Sequence, residues 1–179
     1  MFFCFDKYNN RSVLMEFRRL TINDEILFME YFNAWGDEQK SIVPSATNIK
    51  RYKSFQDFIN NLEERERLYE VLNTTLFLID DGKIIGSSNV RHHLNEFLTN
   101  YGGHVGYGVR PDMRGQGYAS KILNESLKFL KSLNVEKALI TCDEENIASR
   151  KVILNNGGVQ DQSHIREDGG VTNRFWIEI

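Results

Sequence analysis

The stretch that most restricts how this chain can fold runs from Gly102 to Cys142, "GGHVGYGVRPDMRGQGYASKILNESLKFLKSLNVEKALITC". Val105, Tyr107 and Val109 alternate with Gly106 and Gly108, the period of a strand with one bare face. Glycine inside a strand weakens it and marks a bulge or the close approach of another backbone. Ile122, Leu123, Leu127 and Leu130 then recur at helical spacing over residues 117–133, and 137–142 is a short apolar strand. Strand, helix and strand of these lengths make a βαβ unit whose two strands lie parallel with a right-handed crossover.

The joint between that strand and its helix carries the chemistry. A helix start exposes N–H groups without intrahelical partners, and the aligned peptide dipoles add positive charge there. Gly115 and Gly117 let an anion reach those amides with no Cβ in the way, so the turn reads as a diphosphate cradle. Arg114 adds a permanent charge with several donors, and Ala119 keeps the helix surface low. The spacing fits neither Gly-Lys-Ser/Thr nor Gly-x-Gly-x-x-Gly, which disfavours nucleoside triphosphate and dinucleotide binding.

Around this unit, Phe17–Leu20 suggest a strand, Thr21 or Asn23 a helix cap, and Ile26, Leu27, Tyr31 and Phe32 a helix ending near Gly36. Phe55, Phe58, Ile59 and Leu62 mark a second helix running towards Tyr69, with Glu63, Glu64, Arg65, Glu66 and Arg67 as its solvated face. "TTLFLIDDGKIIGSSNV" reads as a hairpin about Asp81-Gly82. A helix over 146–156 and strands near 159–166 and 173–178 complete the order β-α-α-β-β-β-α-β-α-β-β. The expected fold is mixed α/β: a mostly antiparallel sheet with a central parallel βαβ unit and helices on both faces.

At 179 residues and 41% hydrophobic, the chain suits one domain over 15–179, preceded by a leading segment over 1–14. A net charge of −3 and a pI near 5.8 supply no basic field, so neither nucleic acid nor membrane is expected as a partner. Cys4 and Cys142 suggest neither a disulfide framework nor a zinc site, which fits a reducing, cytoplasmic setting. Asp6 and Lys7 end the apolar opening before a signal-peptide core or membrane span forms.

Arg114-Gly115-Gln116-Gly117-Tyr118-Ala119 resembles the Gln/Arg-x-x-Gly-x-Gly/Ala signature of the GNAT superfamily of acetyl-CoA-dependent N-acetyltransferases. From Met15 onward the element order resembles the whole GNAT fold, and "CDEENIASRKVILNNGG" resembles its second coenzyme-contacting segment. The resemblance implies acetyl-CoA as co-substrate, with no metal. It also implies that the amides of Arg114, Gly115, Gln116, Gly117, Tyr118 and Ala119 hold the diphosphate. The backbone from Tyr107 to Val109 would pair with the pantetheine arm, along the bare glycine face, and an amide there would polarise the thioester. Asn146 and Ser149 match positions that touch that arm, although Asn146 is equally a plain helix N-cap.

The implied activity is direct acetyl transfer, in a ternary complex, to a primary amine of a small molecule or peptide, by a monomer or homodimer. Ile153 stands where many members place a Tyr that protonates the departing thiolate, so water or a turned Tyr118 would serve instead. The same departure supports an alternative, a non-catalytic CoA-binding module; a different acyl chain or a hydroxyl acceptor is a third. His104 is the candidate general base by position and intrinsic pKa, set against a purely supporting role for the strand. Glu144 and Glu145 are second choices. Arg91, His92 and His93 read as exposed polar residues rather than catalysts, and Tyr101, Asn95 and Trp35 as acceptor contacts.

Overall fold

Asp81 and Gly82, both at positive φ (48° and 71°), close the hairpin expected of them. The computed structural model describes residues 2–4, 13–64 and 70–179. In it β1 (Phe2–Cys4) and β2 (Val13–Arg18) precede α1 (Glu25–Asn33) and α2 (Phe55–Glu64). The hairpin joins β3 (Asn73–Asp80) to β4 (Lys83–Arg91), and β5 (Val105–Val109), α3 (Tyr118–Ser132) and β6 (Lys137–Asp143) form the strand–helix–strand unit. The chain ends with α4 (Ile147–Asn155), β7 (Val159–Ile165) and β8 (Val171–Glu178).

Phe28, Tyr31, Phe32 and Trp35 of the first helical stretch and Phe55 and Phe58 of α2 join Phe77 of β3 in an aromatic core on one face. The Phe28 and Phe58 ring centroids are 4.5 Å apart, near enough for the tilted rings to gain from their quadrupoles as well as from burial. On the other face, Leu123, Leu127 and Leu130 of α3 and Ile153 of α4 pack with Leu76, Val90, Val105, Ile140 and Phe175. The helical spacing read from α3 is thus its buried side.

The mixed α/β architecture is as expected, but the strands form two hydrogen-bonded sheets: β1-β2-β3-β4-β5, and β6-β8-β7. They are tied at one point. The His104 N–H donates to the Leu139 carbonyl at 2.7 Å, and the Leu139 N–H donates to His104 Nδ1 at 2.9 Å. An imidazole therefore takes the place of a backbone carbonyl, and among the described residues no ladder joins Gly106–Val109 to Ile140–Asp143. The result is an opening in the hydrogen-bonded ladder, a stretch of β5 and β6 whose backbones are not paired with each other.

The first strand starts earlier than expected, at Val13, and β1 pairs with it, Cys4 opposite Val13. Thr21 provides the cap, accepting from the Asn23 N–H in a short 3-10 turn ahead of α1. The expected continuation of α2 towards Tyr69, with the side chains of its charged run, lies outside the described residues.

Candidate active site

At the end of β5, the buried Arg110 fixes the turn that follows. Its Nε and Nη2 donate to the Asp112 carboxylate at 2.8 and 3.0 Å, and Nη1 donates to the Ile84 carbonyl at 3.3 Å. The chain then passes through Gly115 (φ 76°) and Gly117 (φ 83°), the latter in the N-cap position of α3. A Cβ on either glycine would find nothing within 4 Å. Among the described residues, no backbone or side-chain acceptor takes the N–H of Gly115, Gln116, Gly117, Tyr118 or Ala119. Five adjacent donors at the positive end of a four-turn helix, with open space at Gly115 and Gly117, are a main-chain arrangement chemically suited to an anion.

The side chains of this turn are directed elsewhere. Arg114 Nε donates to the Val109 carbonyl at 3.1 Å, and its guanidinium holds both oxygens of Glu38 at 3.2 and 2.8 Å. The same group lies 5.4 Å from the centre of the Trp35 ring. The charge expected to face phosphate instead pins the 36–41 turn after α1. Tyr118 donates its hydroxyl to Asp80 at 2.8 Å, and burial together with that carboxylate pushes the phenol up to about 12. It is thus tied to the end of the β3–β4 hairpin. Gln116 is exposed, and Ala119 packs half-buried against the core.

The two faces of β5 have different surroundings. Val105, Tyr107 and Val109 pack on the α3 side. On the other, a Cβ at Gly108 would come within 2.2 Å of the Val43 carbonyl oxygen and 3.3 Å of Trp35, and one at Gly106 within 3.2 Å of the Arg91 guanidinium. The bare face is covered by the protein itself, by the 35–43 segment at Gly108 and by the Arg91 side chain at Gly106, so its glycines have a reason within the fold other than the expected ligand. The strand is also unbulged: its register with β4 is regular from Gly86↔Val109 to Val90↔Val105.

Across the opening, the Tyr107 hydroxyl and Ser149 Oγ of α4 are hydrogen-bonded at 3.1 Å, and burial pushes the Tyr107 phenol up to about 12. Asn146 Oδ1 accepts the Ser149 N–H at 3.0 Å and so acts as the α4 N-cap. Ile153, one turn beyond Ser149, is fully buried in the core.

His104 is 5% exposed, and its Nδ1 lone pair is engaged by the Leu139 N–H. A backbone N–H only donates, so the neutral ring carries its proton on Nε2. Burial, then the nearby Arg91 charge, pull its pKa down to about 4. A ring in this state has no free lone pair for an incoming proton, and the geometry weighs against the base role. Glu144 and Glu145 are exposed on the turn after β6. Arg91 Nη1 donates to the Gly102 carbonyl at 3.1 Å, and His92 Nε2 lies 3.0 Å from Thr74 Oγ1. His93 is exposed. Asn95 caps the turn over Leu98–Gly102, whose Tyr101 ring is 5.1 Å from Phe97 and 4.7 Å from His164.

A sequence profile of the acetyltransferase (GNAT) domain matches residues 15–159. The chain belongs to the GNAT acetyltransferase family. Solved structures agree on the fold at identities too low to say more. The Salmonella typhimurium protein yncA, solved with its cofactor acetyl-CoA, is 13% identical, with 92% of this chain and 93% of that one covered and a TM-score of 0.60. The spermidine N-acetyltransferase of Vibrio cholerae, described as dodecameric, is 16% identical over 92% and 93%, with a TM-score of 0.64. Mycobacterium smegmatis RimJ in complex with CoA-disulfide is 16% identical over 92% and 81%, with a TM-score of 0.67. No curated protein matches the sequence. Among the described residues of this GNAT acetyltransferase, no helix is long and apolar enough to cross a membrane.

Proposed function

We propose that this GNAT acetyltransferase moves an acetyl group from acetyl-CoA directly to the primary amine of a small molecule or peptide, both bound at once. The observation that carries this reading is the row of five partnerless amides at Gly115–Ala119, open to solvent and framed by two left-handed glycines. That donor set fits a diphosphate, whose bridging and terminal oxygens need several convergent hydrogen bonds.

Beyond the His104–Leu139 tie, the edge of β5 turned away from β4 carries no ladder. We assign it to the pantetheine arm, which pairs there as an added strand does on a sheet edge. Tyr107 and Val109 lie at that edge, while Asn146 and Ser149 flank it from α4. Direct transfer suits the nucleophiles available. Cys142 is buried in the core and its thiol is raised by that burial, while the Ser149 hydroxyl is engaged with Tyr107. With His104 held neutral and its lone pair occupied, water is the acceptor of the amine proton. An amine with a pKa near 10 is then reactive through its neutral fraction, so the rate rises with pH through the neutral range.

The test combines calorimetry with CoA and release of free thiol from acetyl-CoA over a panel of polyamines, aminoglycosides, amino acids and peptides. Uptake of CoA together with thiol release on at least one amine supports the reading. Uptake with silence across the panel supports the non-catalytic module instead, to which the buried Ile153 points. Absence of uptake refutes both.

A further inference from the structure

The side chains of Val105, Tyr107 and Val109 pack towards α3, so that face of β5 is filled by the protein's own core. An amine that attacks a thioester held along the free edge of β5 therefore comes from the glycine face. The first atoms it meets there belong to the segment after α1: the Val43 carbonyl oxygen and the Trp35 ring, which a Cβ at Gly108 would approach to 2.2 and 3.3 Å. Between these two residues, none of Gly36–Ser41 is buried. Trp35 and Ile42 anchor the two ends in the aromatic core.

A stretch with buried ends and an unburied middle is placed by its polar ties, because few apolar contacts resist its local opening. Gln39 Nε2 donates to the Phe32 carbonyl at 3.1 Å and Asn48 Nδ2 to the Gln39 carbonyl at 3.4 Å, both within the layer that holds α1 and α2. A further tie reaches the turn after β5. Arg114 donates to both carboxylate oxygens of Glu38, at 3.2 and 2.8 Å, while its Nε holds the Val109 carbonyl and its guanidinium stands 5.4 Å from the Trp35 ring centre. One side chain thus joins the end of β5, the turn that carries the open amides and the segment over the glycine face.

We infer that the Arg114–Glu38 pair positions Trp35 and Val43 as the wall against which the acceptor amine is held, so that Glu38 sets acceptor affinity without touching acceptor or coenzyme. The inference rests on the proposed acetyl transfer, and Glu38 in it is a positioning residue that moves no proton. Exposure bounds the size of the effect: both side chains are close to half exposed, and a pair in such a place shifts an equilibrium by at most about fivefold. The two-point fork puts this pair towards the upper end of that range.

The test uses Glu38→Ala and Glu38→Gln, with the amine of the panel that gives the fastest thiol release as acceptor. Glu38→Ala should raise the acceptor KM about three- to fivefold while kcat and the CoA Kd stay within about twofold of the wild type. Glu38→Gln keeps the side-chain length and one accepted hydrogen bond, and should fall between. The gap in KM should narrow towards 1 M salt, where the Debye length is about 3 Å. A second readout needs no catalysis. The chain has two tryptophans, so in a Trp176→Phe background the emission comes from Trp35 alone. Trp35 is 4% exposed, and acrylamide quenching of its fluorescence should rise about twofold when Glu38→Ala is added. An unchanged acceptor KM in the active enzyme, a CoA Kd that rises in step with that KM, or a quenching constant that does not move would each overturn this inference alone. Failure of the wild type itself to bind CoA or release thiol refutes the transferase reading, and this one with it, before any variant is made.

Discussion

Replacing Arg114 by Ala separates a cradle made of main chain from one made of side chains. The structure assigns the guanidinium three contacts: a two-point pair with Glu38, a hydrogen bond to the Val109 carbonyl, and the Trp35 ring face. Both members of the ion pair are close to half exposed, at 46% and 49%, so the pair contributes roughly 0–1 kcal/mol. The ring contact and the carbonyl bond each add about 0.5–1 kcal/mol at such a site, and the terms overlap. A total near 1 kcal/mol lowers Tm by about 3 °C, from roughly 2.1 cal/mol/K of unfolding entropy per residue over 179 residues.

The effect on CoA is where the two designs part. If the guanidinium gripped phosphate, its loss would remove a charge-assisted bond of about 1.5–3 kcal/mol, or roughly 10- to 150-fold in Kd. Because it faces Glu38, the expected change is less than about threefold. Isothermal calorimetry with CoA at two salt concentrations decides the matter. A double-mutant cycle with Glu38→Ala should return about 0.5–1 kcal/mol of coupling in thermal stability and none in CoA affinity. A tenfold or larger weakening of CoA binding by Arg114→Ala, steeper at low salt, would refute the assignment.

Gly117→Ala should do the reverse, because the new methyl meets no protein atom but forces an L-residue to φ 83° at the mouth of the cradle. The conformational cost is about 1–2 kcal/mol, or roughly 3–5 °C in Tm, with CoA affinity falling at least tenfold by calorimetry as the amides turn away. His104 provides a pH test. Its pKa is lowered on folding from 6.5 to about 4, so the stability it contributes is complete above pH 6.5 and is lost as pH falls towards 4, by at most about 3 kcal/mol. His104→Asn keeps an acceptor near the Nδ1 position and should flatten that part of an acid-melting curve while leaving the pH–rate profile unchanged; a lost alkaline plateau would restore the base role. Phe28→Ala, at the centre of the aromatic core, should cost about 3–5 kcal/mol by urea denaturation, and a loss below about 1 kcal/mol would contradict the packing described.

The parts of this molecule that could be read from its sequence are those in which backbone geometry and residue type coincide. Asp81-Gly82, the 3.6-residue spacing from Ile122 to Leu130, and the Gly115/Gly117 pair each state a backbone conformation directly, and each is present where expected. Side-chain partners far apart in the chain carry no such local mark. Arg114 meets Glu38 across 76 residues, Tyr107 meets Ser149 across 42, and His104 meets Leu139 across 35. Each of these contacts changes a chemical assignment: the arginine turns from phosphate to the protein, the tyrosine reaches across the opening, and the histidine gives up its lone pair.

The His104 contact also explains why one expected sheet became two. In a parallel β5–β6 pair, the β5 side would offer a backbone carbonyl to the Leu139 N–H of β6, and the imidazole takes that N–H first, ending the ladder where it would have begun. The only local hint was a histidine preceding an alternating Val-Gly-Tyr-Gly-Val strand, a pattern that reads as readily for catalysis as for architecture. Buried, with its Nδ1 on the Leu139 N–H, the residue singled out as a candidate base sits as a wedge between the two sheets. A variant that restores a carbonyl-like acceptor at this position should preserve the opening, whereas one that removes the acceptor leaves the buried Leu139 N–H unpaired at a cost of about 1–3 kcal/mol. Comparing His104→Asn with His104→Ala by thermal melting with and without CoA therefore tests the wedge. Equal stability and equal CoA affinity in the two would show that the acceptor, and with it the tie between the sheets, does not hold the opening.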